Sequence, residues 1–113
     1  MAIRVLLADD QSLFREGLET LLSIHKDIPV IGQAGNGQEA IDLALKLRPD
    51  LILMDMQMPI LNGVGATRRL KQSMPDCRVI VLTAFDDKES IFDALRAGAV
   101  GYLLKDVGSA QLA

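Results

Sequence analysis

Five apolar segments rich in valine, isoleucine and leucine recur along the chain and predict the strands of a sheet. They are residues 3–8, 28–34, 51–54, 78–83 and 100–104. Within most of these segments apolar residues follow one another without polar alternation, which is typical of strands buried on both faces.

Between the strands, apolar residues recur at helical spacing and predict four amphipathic helices. Their stripes contain Phe14, Leu18, Leu21 and Leu22; Ala40, Ile41, Ala44 and Leu45; Ala66, Leu70 and Met74; and Ile91, Ala94 and Leu95. Glycine and asparagine supply turns before two of the helices, at residues 35–37 and 62–63. Asp87 is a candidate N-cap, and Gly98 suits the end of a helix.

The strict alternation of strands and helices predicts an α/β fold with a parallel, doubly wound sheet that carries helices on both faces. A chain of 113 residues suits one domain. In open parallel sheets, functional groups collect at the carboxyl ends of the strands, near the point where the strand order reverses. Polar residues at those strand ends are therefore the first candidates for a functional site.

Composition narrows the class of protein. Hydrophobic residues make up 50% and charged residues 24% of the chain, which is enough apolar material for a core. The net charge of −3, with scattered lysines and arginines, argues against a nucleic-acid surface. The single cysteine, Cys77, excludes an internal disulfide and favours a reducing compartment. The first apolar run is too short for a signal peptide or a membrane span, so we expect a soluble cytoplasmic protein with no membrane partner.

Polar residues stand at the ends of four of the five predicted strands. They are Asp9 and Asp10, Asp55, Thr83, and Lys105. An isolated charge in a dry core costs several kcal/mol, and two unit charges 4 Å apart repel by about 4 kcal/mol at an effective dielectric constant near 20. If the three acids converge, a cation must bind there. Oxygen ligands favour a hard ion, and Mg²⁺ fits better than zinc or copper.

A magnesium ion, the Lys105 ammonium and the Thr83 hydroxyl around one carboxylate together suit a phosphoryl group on that carboxylate. Aspartate can act as such a nucleophile, and phosphoryl transfer mostly requires positioning and neutralisation of charge. Asp9 and Asp10 could instead be helix caps, Asp55 a loop acid and Thr83 an ordinary strand residue. The ordered set, rather than any single residue, carries the hypothesis.

The sequence closely resembles the receiver domain of two-component response regulators from Ile3 onward. The opening DDQSLFREGL and the ending LLKD are similar to the subfamily whose output is a LuxR-type helix-turn-helix domain. By position, the resemblance implies that Asp55 is the phosphoacceptor. It also implies that Asp10 binds magnesium directly, Asp9 through water, and Gln57 through its backbone carbonyl. Thr83 would be the switch hydroxyl, Lys105 the phosphoryl partner, Tyr102 the aromatic that reports the state, and Ala84 the small residue that leaves room for the phosphoryl group.

The resemblance further implies a flavodoxin-like sheet in the order 2-1-3-4-5. The expected partners are a sensor histidine kinase, a second copy of the chain after phosphorylation, and DNA only through an output domain outside residues 1–113. We expect these residues to form a receiver domain truncated near the start of its last helix, because Ser109 resembles an N-cap and only residues 110–113 follow. The fifth helix would then be largely missing.

Two alternative functions and several plainer residue roles stay open. A phosphohydrolase with an Asp-x-Asp nucleophile loop would need a second acid where Gln57 stands, and a phosphorylation-silent binding module would not need the acids at all.

Asp106 follows Lys105 where many receivers have proline, so we expect a trans peptide there. Tyr102 could be an ordinary sheet aromatic. The three alternating methionines at residues 54, 56 and 58 favour packing, and Cys77 a structural role.

Overall fold

The computed structural model describes residues 2–83 and 88–104, which form a single parallel sheet with helices around it. In these ranges the elements are β1 (Val5–Ala8), α1 (Ser12–Ser23), β2 (Val30–Ala34), α2 (Gly37–Leu47), β3 (Leu51–Asp55), α3 (Gly63–Ser73), β4 (Arg78–Thr83), α4 (Lys88–Ala97) and β5 (Gly101–Leu104). The predicted alternation of strands and helices is confirmed.

The strands lie in the order β2-β1-β3-β4-β5, and every neighbouring pair is parallel. Strand β1 lies inside the sheet and pairs with β2 on one side and β3 on the other, with Val5 opposite Leu51 and Ala8 opposite Met54. The flavodoxin-like order 2-1-3-4-5 is therefore confirmed. It brings the carboxyl ends of β1, β3 and β4 side by side at one edge of the sheet.

Helices lie on both faces of the sheet, as predicted. On one face, alanine and leucine side chains of α2, α3 and α4 pack against strand residues such as Leu6, Ile52 and Val79 in one core cluster. On the other face, Phe14, Leu18 and Leu22 of α1 pack against the second cluster. Because the side chains of a strand alternate between faces, each central strand contributes to both clusters, and this double burial explains why its residues are apolar without alternation.

The apolar helix stripes are narrower than the sequence predicted. Leu21, Leu45 and Leu95 remain 61%, 42% and 38% exposed, so their assignment to buried faces was wrong. The edge strand β2 is also less buried than predicted, with only Ala34 fully covered. An edge strand has a neighbour on one side only, which leaves its side chains half accessible.

The predicted turns cap their helices through specific atoms. The side-chain oxygen of Asn36 accepts from the Glu39 N–H at 2.8 Å, and that of Asn62 accepts from the Gly65 N–H at 2.9 Å. Gly98 follows α4 with φ of +121°, a conformation that favours glycine. The predicted cap Asp87, the Lys105–Asp106 peptide and the predicted start of a fifth helix at Ser109 lie outside the described residues.

Candidate functional site

Three carboxylates meet at the carboxyl ends of the two central strands. Asp9 and Asp10 follow β1, Asp55 ends β3, and one oxygen from each side chain lies within 4.8 Å of the others. Asp9 is 1% exposed and Asp55 4% exposed, whereas Asp10 faces solvent. The predicted convergence of the three acids is confirmed, and it follows from the pairing of β1 with β3.

The backbone after Asp55 is fixed from two sides. The N–H of Met56 donates to the Leu82 carbonyl of β4 at 3.0 Å, and the Met56 carbonyl accepts from the N–H of Gly63 at 3.1 Å. The N–H of Gln57 also points to Asp55 Oδ1 at 3.4 Å. The start of α3 therefore lies directly against the end of β3, and the turn between them holds the Asp55 carboxylate in place.

Asp9 is held by a separate set of hydrogen bonds. Its N–H donates to the Ala34 carbonyl of β2 at 3.0 Å, and its Oδ1 accepts from the N–H of Gln11 at 2.8 Å. The guanidinium of Arg15 donates to the backbone carbonyl of Asp9 and, through Nε, to the Gln33 side chain at 3.1 Å. Sequence reasoning missed Arg15. The one sequence feature that could have indicated Arg15 is its position early in the helix that follows Asp9 and Asp10.

The donor set at this edge fits a divalent cation. Carboxylates this close repel one another by several kcal/mol if nothing positive lies between them. Oxygen is the only ligand type in the cluster, which favours a hard ion over zinc or copper, and Mg²⁺ retains several waters when it binds to one or two carboxylates. The exposed side of Asp10 leaves access for those waters.

Thr83 and Tyr102 occupy the two strands beyond β3. Thr83 ends β4 and is 5% exposed; it follows Leu82, the residue opposite Asp55. Tyr102 lies on β5 opposite Val81, and its side chain is 44% exposed. The predicted phosphoryl contacts Ala84 and Lys105 lie outside the described residues.

The residues with plainer predicted roles are buried. Met54, Met56 and Met58 belong to the larger core cluster, which confirms the packing interpretation. Burial raises the pKa of the Cys77 thiol, and Asp50 nearby acts in the same direction, which disfavours the thiolate and agrees with a structural role. None of the helices in the described ranges combines the length and the apolar character that crossing a membrane requires.

Comparison with known proteins identifies the family. Residues 5–113 match the response regulator receiver domain. The chain belongs to this family. Among curated relatives of the receiver domain, the transcriptional regulatory protein LnrK of Bacillus subtilis (strain 168) is 46% identical over 107 residues, covering 95% of the chain and 49% of LnrK. The transcriptional regulatory protein DegU of Brevibacillus brevis is 42% identical over 110 residues, covering 97% of the chain and 47% of DegU.

Solved structures agree with this assignment. The response regulator domain of Thermotoga maritima CheB superimposes on the receiver domain with a TM-score of 0.86 and 36% identity, covering 93% of this chain and 79% of that one. A LuxR-family two-component response regulator from Aurantimonas sp. SI85-9A1 gives 0.91 and 30% identity, with coverages of 99% and 80%. The receiver domain spans about half the length of the curated relatives described above.

Proposed function

We propose that this receiver domain is a phosphoacceptor switch that takes a phosphoryl group from the phosphohistidine of a sensor histidine kinase onto Asp55. The observation that carries the proposal is the cluster of three carboxylates, in which Asp55 is buried at a strand end beside Asp9 and Asp10. A helix cap or a turn needs one carboxylate, whereas phosphoryl transfer needs one as the nucleophile and others to hold a cation.

In the proposed reaction, an oxygen of the Asp55 carboxylate forms a bond to phosphorus while the bond from phosphorus to the imidazole nitrogen breaks. The electron pair of the broken bond stays with the imidazole of the kinase. Asp9, Asp10, Asp55 and the Gln57 carbonyl would hold Mg²⁺. The ion supplies positive charge against the phosphoryl group, which carries about −1.5 to −2 charges at neutral pH. Hydrogen bonds to the turn after Asp55 keep the nucleophile aligned.

The residues around Asp55 would receive the phosphoryl group. The Thr83 hydroxyl and the Lys105 ammonium would donate to its oxygens, and Ala84 would leave room for it. Movement of Thr83 towards the phosphoryl group would free space for the Tyr102 ring, which is half exposed in the described conformation. The altered surface would then favour a dimer of the chain.

The output is inferred from the relatives. Both LnrK and DegU are named as transcriptional regulatory proteins, and the receiver domain accounts for about half of each. We infer that the domain controls transcription through a helix-turn-helix domain outside this chain, and that it contacts DNA only through that domain. A cytoplasmic location agrees with the one reduced, buried cysteine.

Intact mass after incubation with acetyl phosphate and magnesium tests the proposal. We expect the wild type to gain the mass of one phosphoryl group, and Asp55→Asn to gain none, because the amide is not a comparable nucleophile. Excess chelator should prevent the adduct in the wild type. Asp42→Asn is the matched control, because Asp42 is an exposed acid on α2 that pairs with Gln38. An adduct of equal size in Asp55→Asn would show that another residue is phosphorylated.

A further inference from the structure

Arg15 connects α1 to the backbone between the two acids of β1. Its guanidinium donates to the carbonyl of Asp9, which belongs to the peptide that joins Asp9 to Asp10. The N–H of Arg15 donates to the Gln11 carbonyl at 3.1 Å, and the N–H of Gln11 donates to Asp9 Oδ1 at 2.8 Å. These contacts form a closed ring of hydrogen bonds around residues 9–11.

The ring restrains the direction of both carboxylates. The Asp9 N–H is already bound to β2 through the Ala34 carbonyl, so the arginine contact fixes the next peptide plane along the chain. The orientation of that plane sets where the Cα–Cβ bond of Asp10 points. Asp10 is exposed, and its side chain is not confined by surrounding atoms as Asp9 is. The restraint on its backbone is therefore what aims it at the cluster.

Arg15 is itself held in place. Its Nε donates to the Gln33 side-chain oxygen at 3.1 Å, and the Gln33 amide in turn donates to Glu19 on the next turn of α1. The planar guanidinium can serve Gln33 and the Asp9 carbonyl together because its donors have fixed directions, which a lysine ammonium lacks. Since Arg15 is partly buried, the guanidinium has few alternative positions.

We propose that Arg15 is a positioning residue for the metal, acting through the Asp9–Asp10 peptide without touching the ion. This inference rests on the proposed function, because it assumes that the carboxylates hold Mg²⁺. The proposal predicts a change in magnesium affinity whose sign is opposite to the one expected from charge alone. A positive charge near a cation site repels the cation, so charge alone would make neutralisation of Arg15 tighten magnesium binding. Loss of positioning would instead weaken it.

Titration of the metal-free protein with MgCl₂ at constant ionic strength, followed by the amide NMR signals of residues 9–11, measures the dissociation constant directly. We expect Arg15→Met to raise the Kd for Mg²⁺ by about 10-fold, the lower end of the effect seen when groups that orient metal ligands are removed. Raising the magnesium concentration should recover adduct formation in Arg15→Met, because the proposed defect lies in the affinity for the ion. Arg69→Met is the matched control: Arg69 also donates to a glutamine, Gln38, but it does so from α3.

Gln33→Met supplies a second variant that leaves Arg15 in the chain. It removes one anchor of the guanidinium, so it should raise the Kd in the same direction by a smaller factor. An unchanged or lower Kd in folded Arg15→Met would overturn the proposal, and so would an equal rise in Arg69→Met. If Arg15→Met does not fold, an unchanged Kd in Gln33→Met overturns it. A wild type that binds no magnesium would instead contradict the proposed function.

Discussion

Gly63 shows how closely the backbone approaches the proposed nucleophile. It is the first residue of α3, and a Cβ at this position would collide with the carbonyl oxygen of Asp55 and lie 2.9 Å from the Met56 Cα. Both neighbours are backbone atoms, which cannot move aside as the end of a side chain can. The helix therefore rests on the strand end only because residue 63 has no side chain.

Gly63→Ala should separate α3 from the end of β3. We expect a loss of about 1–3 kcal/mol in the free energy of unfolding, the usual cost of forcing an extra carbon into a filled space, together with slower adduct formation at Asp55. Gly17→Ala is the control, since a Cβ at residue 17 on α1 meets nothing within 4 Å. That variant should gain about 0.5–1 kcal/mol from the better helix propensity of alanine. Urea unfolding measures both, and equal changes in the two variants would contradict the argument.

The acids of the site could be predicted because each follows an apolar strand directly, and parallel strands end at one edge. Arg15 could not be predicted in the same way, since its role depends on which carbonyl a long side chain reaches in the folded protein. The backbone of Ile60, at φ of +69° in the turn before α3, is equally hidden from sequence rules. A β-branched residue is unfavourable in that conformation, so the surrounding turn imposes it.

At the scale of elements, one side chain joins β1 to the end of α2. The guanidinium of Arg4 donates to the carbonyls of Leu47 and Arg48 at 2.7 and 2.8 Å, and its backbone N–H donates to Asp50 Oδ2 at 2.9 Å. The last carbonyls of a helix lack partners within the helix and carry its partial negative charge. Arg4 therefore holds the end of α2 against the start of β1.

Arg4→Met should lower the free energy of unfolding by about 1.5 kcal/mol, the lower end of the range for hydrogen bonds from a charged donor, because the site is partly exposed. Arg96→Met is the control. Arg96 pairs with Asp93 at 3.2 Å, but the side chains are 76% and 56% exposed, and exposed pairs of this kind contribute little. We expect a change within about 0.5 kcal/mol there. Thermal and urea unfolding test the difference, and equal losses would refute a role for the Arg4 contacts.

Helix identity was easier to predict than helix orientation. Apolar spacing found all four helices in the described ranges, yet it assigned Leu21, Leu45 and Leu95 to buried faces from which they are excluded. Each of these leucines lies next in sequence to a position in the correct stripe or at its margin. Spacing alone sets the centre of an apolar stripe, whereas its width depends on how many neighbouring strands and helices the face meets.

At the scale of the whole molecule, the proposed switch spans three adjacent strands. Asp55 ends β3, Thr83 ends β4, and Tyr102 lies on β5, two positions before the partner of Thr83 in the register. Movement of Thr83 would therefore occur next to Asp55 on one side and next to the edge strand β5 on the other. The strand order gives the signal a short path to an exposed surface.

Thr83→Ala should leave phosphorylation of Asp55 largely intact but prevent the response of Tyr102. The chain has one tyrosine, so its ring signals in the NMR spectrum are unambiguous. We expect them to shift on phosphorylation in the wild type and in Thr83→Ser, which keeps the hydroxyl, but not in Thr83→Ala. Intact mass of the same samples confirms that each carries the adduct. A normal ring shift in phosphorylated Thr83→Ala would place the switch elsewhere.

The pairing of β1 with β3 also bears on how the chain folds. Helix α1, strand β2 and helix α2 all intervene between these two strands, so closing that pair orders a long loop and is an entropically costly step. The carboxylates at the ends of the pair repel one another and oppose the same step until an ion binds between them. A ligand that binds only the paired state stabilises it in proportion to the logarithm of its free concentration. A magnesium ion bound as proposed would therefore also stabilise the junction between the two halves of the sheet.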